Sequence, residues 1–572
     1  MLVRACNKLL LLGLDCADPH LVFDRWLDDL PNIKRLVEAG VYGPLLSCTP
    51  PITVPAWISM VTGRDPGELG IYGFRNRSDT GYDDLKIVTS ADVGEKTVWD
   101  YLGEAGKESV VIGVPPSYPV KPVRGDLISW FLTPGTGSEY TYPHELRHEV
   151  EELVGEYLFD VADYRTEEKG RLLERIREMT VRRFRVARHL LRIRPWDFFM
   201  MVEIGTDRMH HGFWQFMDPQ HVLYPGENPF QDAVRQYYIL VDGLIGELLE
   251  VVDAGTRVMI VSDHGAKRMD GRVALNEWLI RQGYLVLKRY PDRPTPFGEL
   301  EVDWSRTRAW GAGGYYGRLF VNLKGREPQG TVDPSEYEGF RRQLREELEA
   351  LGDEEGRPIG TRVVIPQEVY REVRNLPPDM EVDFGDLRWR SSGAVGGGQI
   401  HLRGGEDGIE GANYDWHGIF IMADRKDLAG PARKGEPLEG LQLMDVAPTI
   451  LESLGVPRPS SVHGRVVRPR RAVSRRRRRH GSSTCGMHGV RGKERVSWGR
   501  TASGSVVAVC RGRRTRCTGG KERCSLGLLD SMNGSRKFEA FPRTKDDASC
   551  ASLRWTKESW TRRSFRKASN AF

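Results

Sequence analysis

Five short apolar segments recur along the chain, and each one ends or begins beside a polar residue. They occupy residues 8–15, 108–114, 197–204, 257–262 and 418–423. The stretches between them have helical spacing of apolar residues, as in residues 20–39, which stop at Gly40. Apolar runs that alternate with helices are typical of strands buried on both faces. The pattern therefore predicts an α/β fold with a mainly parallel central sheet and helices on both faces.

Two segments fit this alternation less well. Residues 120–195 carry a long, charged helical pattern, and residues 285–400 mix short strand patterns with glycine-rich turns. We interpret both as insertions that form a cap or rim over the carboxyl edge of the sheet. An amphipathic helix within residues 440–455 closes the pattern, so we expect one domain over residues 1–468.

The composition changes abruptly near residue 469. Residues 469–572 hold 27 Lys and Arg against 7 Asp and Glu, whereas the rest of the chain is acidic. We predict that this basic tail is largely disordered, because it shows no apolar periodicity. Three interpretations stay open: an arm that binds nucleic acid, a metal knuckle, or an aberrant extension past a shifted reading frame. The abrupt change in composition favours the last of these. Cys510, Cys517 and Cys524 are each seven residues apart, unlike the closely spaced cysteine pairs of zinc sites.

The composition of the body is ordinary for a soluble protein. Over the whole chain, apolar residues make up 39% and charged residues 28%. No apolar run approaches the ~20 residues that a membrane span needs. The first apolar segment is too short for a signal peptide. We therefore expect a cytoplasmic protein with a small-molecule substrate and no membrane span; the sequence leaves the oligomeric state open.

Carboxylates and imidazoles cluster at the ends of the predicted strands. Because the carboxyl ends of parallel strands meet at one edge, we expect these side chains to lie together. Taken singly, each could be a turn or surface residue. Unpaired, so many carboxylates would repel one another, and one or two divalent cations would relieve that repulsion. Imidazole with carboxylate suits Zn²⁺ or Mn²⁺. The six candidate ligands are Asp15, Asp207, His211, Asp263, His264 and His417.

The stretch SCTPPITVPAWISMVTG places Thr53 between prolines and just ahead of a predicted helix. Threonine is a favoured helix N-cap, and proline is favoured in the first turn. If the candidate ligands do hold a metal, Thr53 has a second interpretation as a metal-activated nucleophile. The free N–H groups at the start of the helix would then bind phosphoryl oxygens.

These motifs resemble the alkaline phosphatase superfamily, and most closely its type I phosphodiesterase/nucleotide pyrophosphatase branch and related prokaryotic phosphohydrolases or phosphomutases. The resemblance covers roughly residues 8 to 468. It is carried by the order of the six candidate ligands and Thr53, and by the strings EIGTDRMHHGFWQFMD, VSDHGAKRMDG and DVAPTILESLGVP.

The resemblance implies an alkaline phosphatase-like sandwich and a two-metal hydrolase of phosphate esters that forms a phosphothreonine. It implies that one metal is held by Asp207, His211 and His417. It implies that the other is held by Asp15, Thr53, Asp263 and His264.

One departure from the motif of the nucleotide pyrophosphatases bears on the choice of substrate. The nucleotide pyrophosphatases have an asparagine after the proline that follows the threonine, and this chain has Ala56 there. A hydrogen-bond donor to a phosphoryl oxygen is thus missing, which weakens the argument for nucleotide diesters as substrates. Sulfatases need an arginine where this chain has Ile52, so the motif argues against that branch. Lys267 and Arg318 are weaker candidates for binding substrate charge.

Two alternatives remain beside hydrolysis. Phosphomutase-type transfer uses the same superfamily chemistry. A non-catalytic binding protein, with a tail that binds nucleic acid, could keep the fold without the reaction.

Overall fold

The computed structural model describes residues 8–82, 85–161, 166–403, 411–430 and 434–468. The predicted basic tail of residues 469–572 lies outside the described residues. Among the residues described, no helix is both long enough and apolar enough to cross a membrane.

The described strands are numbered in chain order. They are β1 (Lys8–Leu14), β2 (Val41–Leu46), β3 (Arg75–Arg77), β4 (Leu85–Ile87), β5 (Ser109–Ile112), β6 (Gly125–Ile128), β7 (Thr141–Tyr142), β8 (Phe198–Glu203), β9 (Thr256–Val261), β10 (Gly265–Arg268), β11 (Gly271–Ala274), β12 (Ala309–Ala312), β13 (Gly317–Val321), β14 (Arg362–Val364), β15 (Met380–Asp383), β16 (Trp389–Ser392), β17 (His401–Leu402), β18 (Ala412–Asp415), β19 (His417–Asp424), β20 (Glu436–Pro437) and β21 (Leu441–Gln442).

The α-helices are numbered in the same way. They are α1 (Pro31–Ala39), α2 (Thr53–Thr62), α3 (Pro66–Leu69), α4 (Val98–Glu104), α5 (Leu146–Val154), α6 (Lys169–Ile193), α7 (Gly205–Met217), α8 (Ala233–Val251), α9 (Leu275–Arg281), α10 (Tyr337–Glu349), α11 (Pro366–Val369) and α12 (Val446–Ser453).

The central sheet has ten strands in the order β20-β2-β19-β9-β1-β8-β5-β6-β7, with β21 also paired to β2. The strands β9, β1, β8, β5 and β6 run parallel, while β19 runs antiparallel to both of its neighbours. All five predicted strands lie in this sheet, so the mainly parallel α/β architecture is confirmed. Because β19 is reversed, its first residue lies at the same edge as the last residues of β9 and β1.

Helices cover the sheet in two groups. One group contains α1, α6, α7 and α8, which pack on one another, and the other contains α2, α4 and α12. Gly13 shows how closely α2 approaches the sheet, since a Cβ at that position would lie 2.3 Å from the ring of Trp57. The absence of a side chain at Gly13 in β1 therefore leaves the space that the indole of Trp57 in α2 fills.

The segment predicted as a single helix over residues 20–39 is divided. A π-helical turn spans His20–Arg25, and α1 begins at Pro31. Proline cannot continue a helix from the preceding turn but fits the first turn of a new one. Gly40 does end α1, and a Cβ there would lie 2.1 Å from the Met422 carbonyl oxygen of β19.

The two predicted insertions differ in the structure. Residues 120–195 contribute β6 and β7 to the central sheet, and α6 packs on α7, α8 and β8. Residues 273–389 instead build a second apolar core of their own, around a four-stranded sheet in the order β12-β13-β15-β14. The charged helical pattern indicated a surface segment because only one face of α6 is apolar. The division of the chain into domains stays a prediction.

Candidate active site

Thr53 is the first residue of α2 rather than its N-cap. The N-cap is Ile52, which has an extended backbone (φ −134°, ψ 142°) and no capping side-chain hydrogen bond. The Thr53 side chain is buried, and its Oγ1 lies 3.3 Å from Nε2 of His264. The hydroxyl is therefore directed towards the end of β9 instead of satisfying the helix terminus.

Asp15, Asp263 and His264 form a fully buried group at the ends of β1 and β9. Their ligand atoms all lie within 4.8 Å of one another. Nε2 of His264 is 3.1 Å from Asp263 Oδ2 and 3.9 Å from Asp15 Oδ1. The Cys16 backbone N–H donates to the other oxygen of Asp263 at 3.2 Å, from a residue with a φ of 65° that is unusual for a side chain with a Cβ. The turn after β1 is thus tied to the turn after β9.

Two histidines present the same ring nitrogen to the site. Nδ1 of His264 lies 3.1 Å from the Gly265 carbonyl oxygen, and Nδ1 of His211 lies 3.0 Å from the Ala412 carbonyl oxygen. A carbonyl accepts only from a protonated nitrogen, so these contacts favour a proton on Nδ1 of each ring. Nε2 of each ring is then the nitrogen that can ligate a metal.

Asp207 and His211 form a second group one helical turn apart on α7, which follows β8. Asp207 Oδ1 is 3.1 Å from His211 Nε2, and its other oxygen accepts from the buried guanidinium of Arg208. Arg208 also makes two hydrogen bonds to Asp160, of 2.8 and 2.7 Å. Sequence reasoning missed Arg208, and its adjacency to Asp207 was the only local signal.

The protonation of these groups reflects crowding of negative charge. Burial, then Asp263 and Asp207, hold the pKa of Asp15 well above its usual range. Burial would lower the pKa of His264, but the carboxylates of Asp263, Asp15 and Asp207 raise it to about 9. Three carboxylates therefore lie close enough to interact, as the strand-end argument predicted.

His417 is not brought into either group. Its side chain is exposed at the start of β19, and among the described residues it makes no hydrogen bond, ion pair or ring contact with the other candidates. The buried ring of Tyr414 lies there instead, with its centroid 4.0 Å from that of His264 and 5.4 Å from that of His211. The role of His417 as a metal ligand stays a prediction. Only the pairing of β18 with β10 brings Tyr414 here, so no local motif could have indicated it.

The two weaker candidates lie in different surroundings. Nζ of Lys267 is 3.0 Å from carboxylate oxygens of both Asp386 and Asp415, so its charge is already balanced. Arg318 lies in β13 and donates to the backbone oxygens of Arg75 and Gly313, at 2.7 and 3.4 Å. A role for either in binding substrate stays a prediction.

The donor set fits a divalent cation. Asp15 Oδ1 is buried and makes no hydrogen bond within the described part of the chain. Asp15 Oδ1, Asp263 Oδ2 and Thr53 Oγ1 all lie around the same atom, Nε2 of His264. Carboxylate and imidazole together are ligands of zinc and manganese, and a cation there would offset the carboxylate repulsion that raises the pKa of Asp15.

Trp57 orients the Asp15 carboxylate, because its indole N–H donates to Asp15 Oδ2 at 2.7 Å. We expect Trp57→Phe to weaken metal affinity about 10- to 100-fold, the usual effect of losing a hydrogen bond to a ligand. Trp130→Phe is the matched control, since the buried Trp130 indole nitrogen makes no hydrogen bond in the described structure. Competition with a chelator measures both affinities. Equal affinities in the two variants would refute a positioning role for Trp57.

Comparisons with known proteins agree with this architecture. The family model for type I phosphodiesterase/nucleotide pyrophosphatase matches residues 9–391. A structure of phosphonoacetate hydrolase from Sinorhizobium meliloti 1021 with phosphonoformate has a TM-score of 0.50 at 14% identity, over 78% of this chain and 95% of that chain. Its complex with phosphonoacetate has a TM-score of 0.50 at 13% identity, with the same shares of the two chains.

Human ectonucleotide pyrophosphatase/phosphodiesterase 5 has a TM-score of 0.46 at 13% identity, over 80% of this chain and 97% of that chain. A search of curated proteins gave no match. At such identities the two phosphonoacetate hydrolase structures show the fold alone. The family model, however, matches well over half of the sequence, including the residues of β1, α2, α7 and the β9 end. The chain therefore belongs to the type I phosphodiesterase/nucleotide pyrophosphatase family, a family of hydrolases that act on phosphate ester bonds.

Proposed function

We propose that this protein hydrolyses phosphate esters at a divalent-metal centre through a phosphothreonine on Thr53. The observation that carries the proposal is a convergence of three side chains on one nitrogen. Thr53 Oγ1, Asp263 Oδ2 and Asp15 Oδ1 lie 3.3, 3.1 and 3.9 Å from His264 Nε2. A nucleophile thus lies beside a set of metal ligands, and both lie at the carboxyl edge of a parallel sheet.

Five of these residues would hold two divalent cations. Asp15, Asp263 and His264 form one ligand set, and Asp207 with His211 forms the core of a second. The donor types favour Zn²⁺ or Mn²⁺ over Mg²⁺. A divalent cation bound there makes a neighbouring hydroxyl easier to deprotonate and offsets the charge of a phosphoryl group.

Thr53 Oγ1 would attack phosphorus in line with the leaving oxygen. Its proton goes to solvent, the bond from phosphorus to the leaving oxygen breaks, and the departing alkoxide takes a proton from solvent. Water then attacks the phosphothreonine and restores the Thr53 hydroxyl, which releases phosphate when the substrate is a monoester and a phosphomonoester when it is a diester. Burial of Thr53 limits its access to water before substrate arrives.

The start of α2 supplies donors for the phosphoryl oxygens. The first N–H groups of a helix have no partner within it, and here they belong to Thr53 and Val54, because Pro55 has none. The N–H of Ala56 is already used, since it donates to the Ile52 carbonyl oxygen at 3.0 Å. We infer that two backbone donors do part of what an asparagine at position 56 would do.

A metal-reconstituted screen of phosphate monoesters, diesters and phosphonates tests the proposal. We expect release of phosphate or of a phosphomonoester that depends on added Zn²⁺ or Mn²⁺ and stops with chelator. Phosphonates belong in the panel because the structurally similar phosphonoacetate hydrolase binds phosphonoacetate. Ester formation with an added alcohol, in place of phosphate release, would favour phosphoryl transfer. No turnover of any class with either metal would refute the proposal.

A further inference from the structure

Strand β18 lies against both groups of candidate ligands. It pairs antiparallel with β10, the strand that begins directly after His264. The carbonyl oxygen of its first residue, Ala412, lies 3.0 Å from Nδ1 of His211. Its third residue, Tyr414, is buried and lies opposite Ala266 of β10. One short strand therefore reaches both the imidazole after β9 and the imidazole on α7.

The ring of Tyr414 packs on both imidazoles. Its centroid lies 4.0 Å from that of His264, with the ring planes inclined by 39°. It lies 5.4 Å from the centroid of His211, with an inclination of 70°, which is the edge-to-face arrangement that aromatic pairs favour. The phenol ring thus restricts the tilt of two imidazoles whose Nε2 atoms belong to different ligand sets.

The strand is itself held in place by the segment of residues 273–389. Asn413 is buried, and its side-chain amide donates to the backbone oxygens of Tyr315 at 3.1 Å and Leu387 at 2.6 Å. The ring of Tyr315 also lies against that of Tyr414, with centroids 4.2 Å apart. In a close-packed interior, a ring that is held on several sides has few alternative orientations. Tyr414 can therefore transmit a fixed geometry to the histidines it contacts.

We infer that Tyr414 is a positioning residue for both ligand sets, because its ring holds His264 and His211 in the orientations that direct each Nε2 to a cation. The inference rests on the proposed function only in taking the two histidines as ligands of separate cations. Trp57, by contrast, orients the Asp15 carboxylate of one set alone. Loss of the Tyr414 ring should therefore weaken two cation sites together.

Titration of the metal-free protein with Zn²⁺, in competition with a chromophoric chelator, tests this inference without needing turnover. In Tyr414→Leu we expect both dissociation constants to rise about 10- to 100-fold, the usual effect of losing a group that orients a metal ligand. Tyr414→Phe keeps the ring and should keep both constants close to those of the wild type. The visible absorption of bound Co²⁺, which reports its ligand geometry, should change only in Tyr414→Leu.

Two further variants separate positioning from general damage to the fold. Tyr284→Leu is the matched control, because this buried ring packs on Phe340 in the second apolar core, with centroids 5.3 Å apart. It should keep both dissociation constants. Asn413→Ala leaves the Tyr414 ring but removes two hydrogen bonds that hold its strand, so it should raise both constants by a smaller factor even if Tyr414→Leu folds poorly.

The outcomes for Tyr414 and for the proposed function are distinguishable. A loss at one cation site only in Tyr414→Leu, or at neither, would overturn the inference, and so would a wild type that binds fewer than two cations. An equal loss in Tyr414→Phe would also overturn it, because the hydroxyl rather than the ring would then be responsible. Weakening of both sites in Tyr414→Leu, in a protein that turns over no ester, would support the inference while refuting the proposed function.

Discussion

Replacing Thr53 with alanine is expected to reduce the turnover of phosphate esters by at least about 10⁴-fold, because the attacking oxygen is lost. Metal affinity should change far less, because Asp15, Asp263 and His264 keep their positions. Stability should also change little, since the Thr53 side chain does not cap α2. Steady-state kinetics, metal analysis and denaturant unfolding measure the three quantities.

A matched control separates loss of the nucleophile from damage to α2. Thr62 ends the same helix, is equally buried, and donates its hydroxyl to the Ile58 carbonyl oxygen at 2.6 Å. Thr62→Ala should retain turnover, and Thr53→Ser should retain part of it. Mass spectrometry of acid-quenched enzyme should find a phosphorylated peptide only when residue 53 carries a hydroxyl. Undiminished turnover in Thr53→Ala would exclude Thr53 as the nucleophile.

Replacing Asp15 with asparagine should have opposite effects on the metal-free and metal-loaded protein. Without metal, the variant should be at least as stable as the wild type, because one of three repelling buried carboxylates is gone. With metal at one hundred times the wild-type dissociation constant, the wild type should gain about 2.7 kcal/mol and the variant much less. Turnover should fall roughly 10³-fold, since several kcal/mol of charge stabilisation depend on the metal.

Asp242→Asn is the matched control for Asp15→Asn, because it makes the same change of charge at another buried carboxylate. Asp242 is also buried with a raised pKa, caused by burial, but it accepts hydrogen bonds from the backbone of Asn32 and Ile33 on α1. This variant should keep the full stabilisation by metal, whatever it loses in stability. Thermal or denaturant unfolding with and without metal gives each value. If Asp15→Asn gains as much from metal as the wild type, Asp15 does not ligate it.

The strand-end argument from sequence was sufficient to bring most of the site together. Continuous apolar runs are buried on both faces, and parallel strands end at one edge, so Asp15, Asp207 and Asp263 had to converge if the fold was right. His211 followed because a spacing of four residues places it over Asp207 on α7. These inferences use only local periodicity and chain direction.

The same argument was not sufficient for the last strand. His417 does lie at the predicted edge, because β19 is reversed, but its side chain is exposed there. Tyr414, three residues earlier, is buried and packs on His264. Local periodicity cannot indicate which of two nearby residues turns inwards, because the antiparallel pairing of β18 with β10 decides it.

The segment of residues 120–195 shows the same limit at the level of the fold. Its charged pattern correctly indicated amphipathic helices, but β6 and β7 are four and two residues long and leave little periodicity to detect. Their place in the central sheet depends on the pairing of β6 with β5 and of β7 with β6, which a short sequence window does not reveal.

The sequence by itself determined the α/β class, the order of the acidic and imidazole residues along the strand ends, and the break before α2 that positions Thr53. Each of these depends on contacts within a few residues or on the direction of parallel strands. Only the tertiary structure decided that Ile52 rather than Thr53 is the N-cap, that Trp57 orients Asp15, and that β18 lies against His264 and His211. Those contacts join residues separated by 42 positions for Trp57 and Asp15 and by 201 for His211 and Ala412 of β18. They form because folding brings α2, the central sheet and β18 together, and no local pattern encodes that approach.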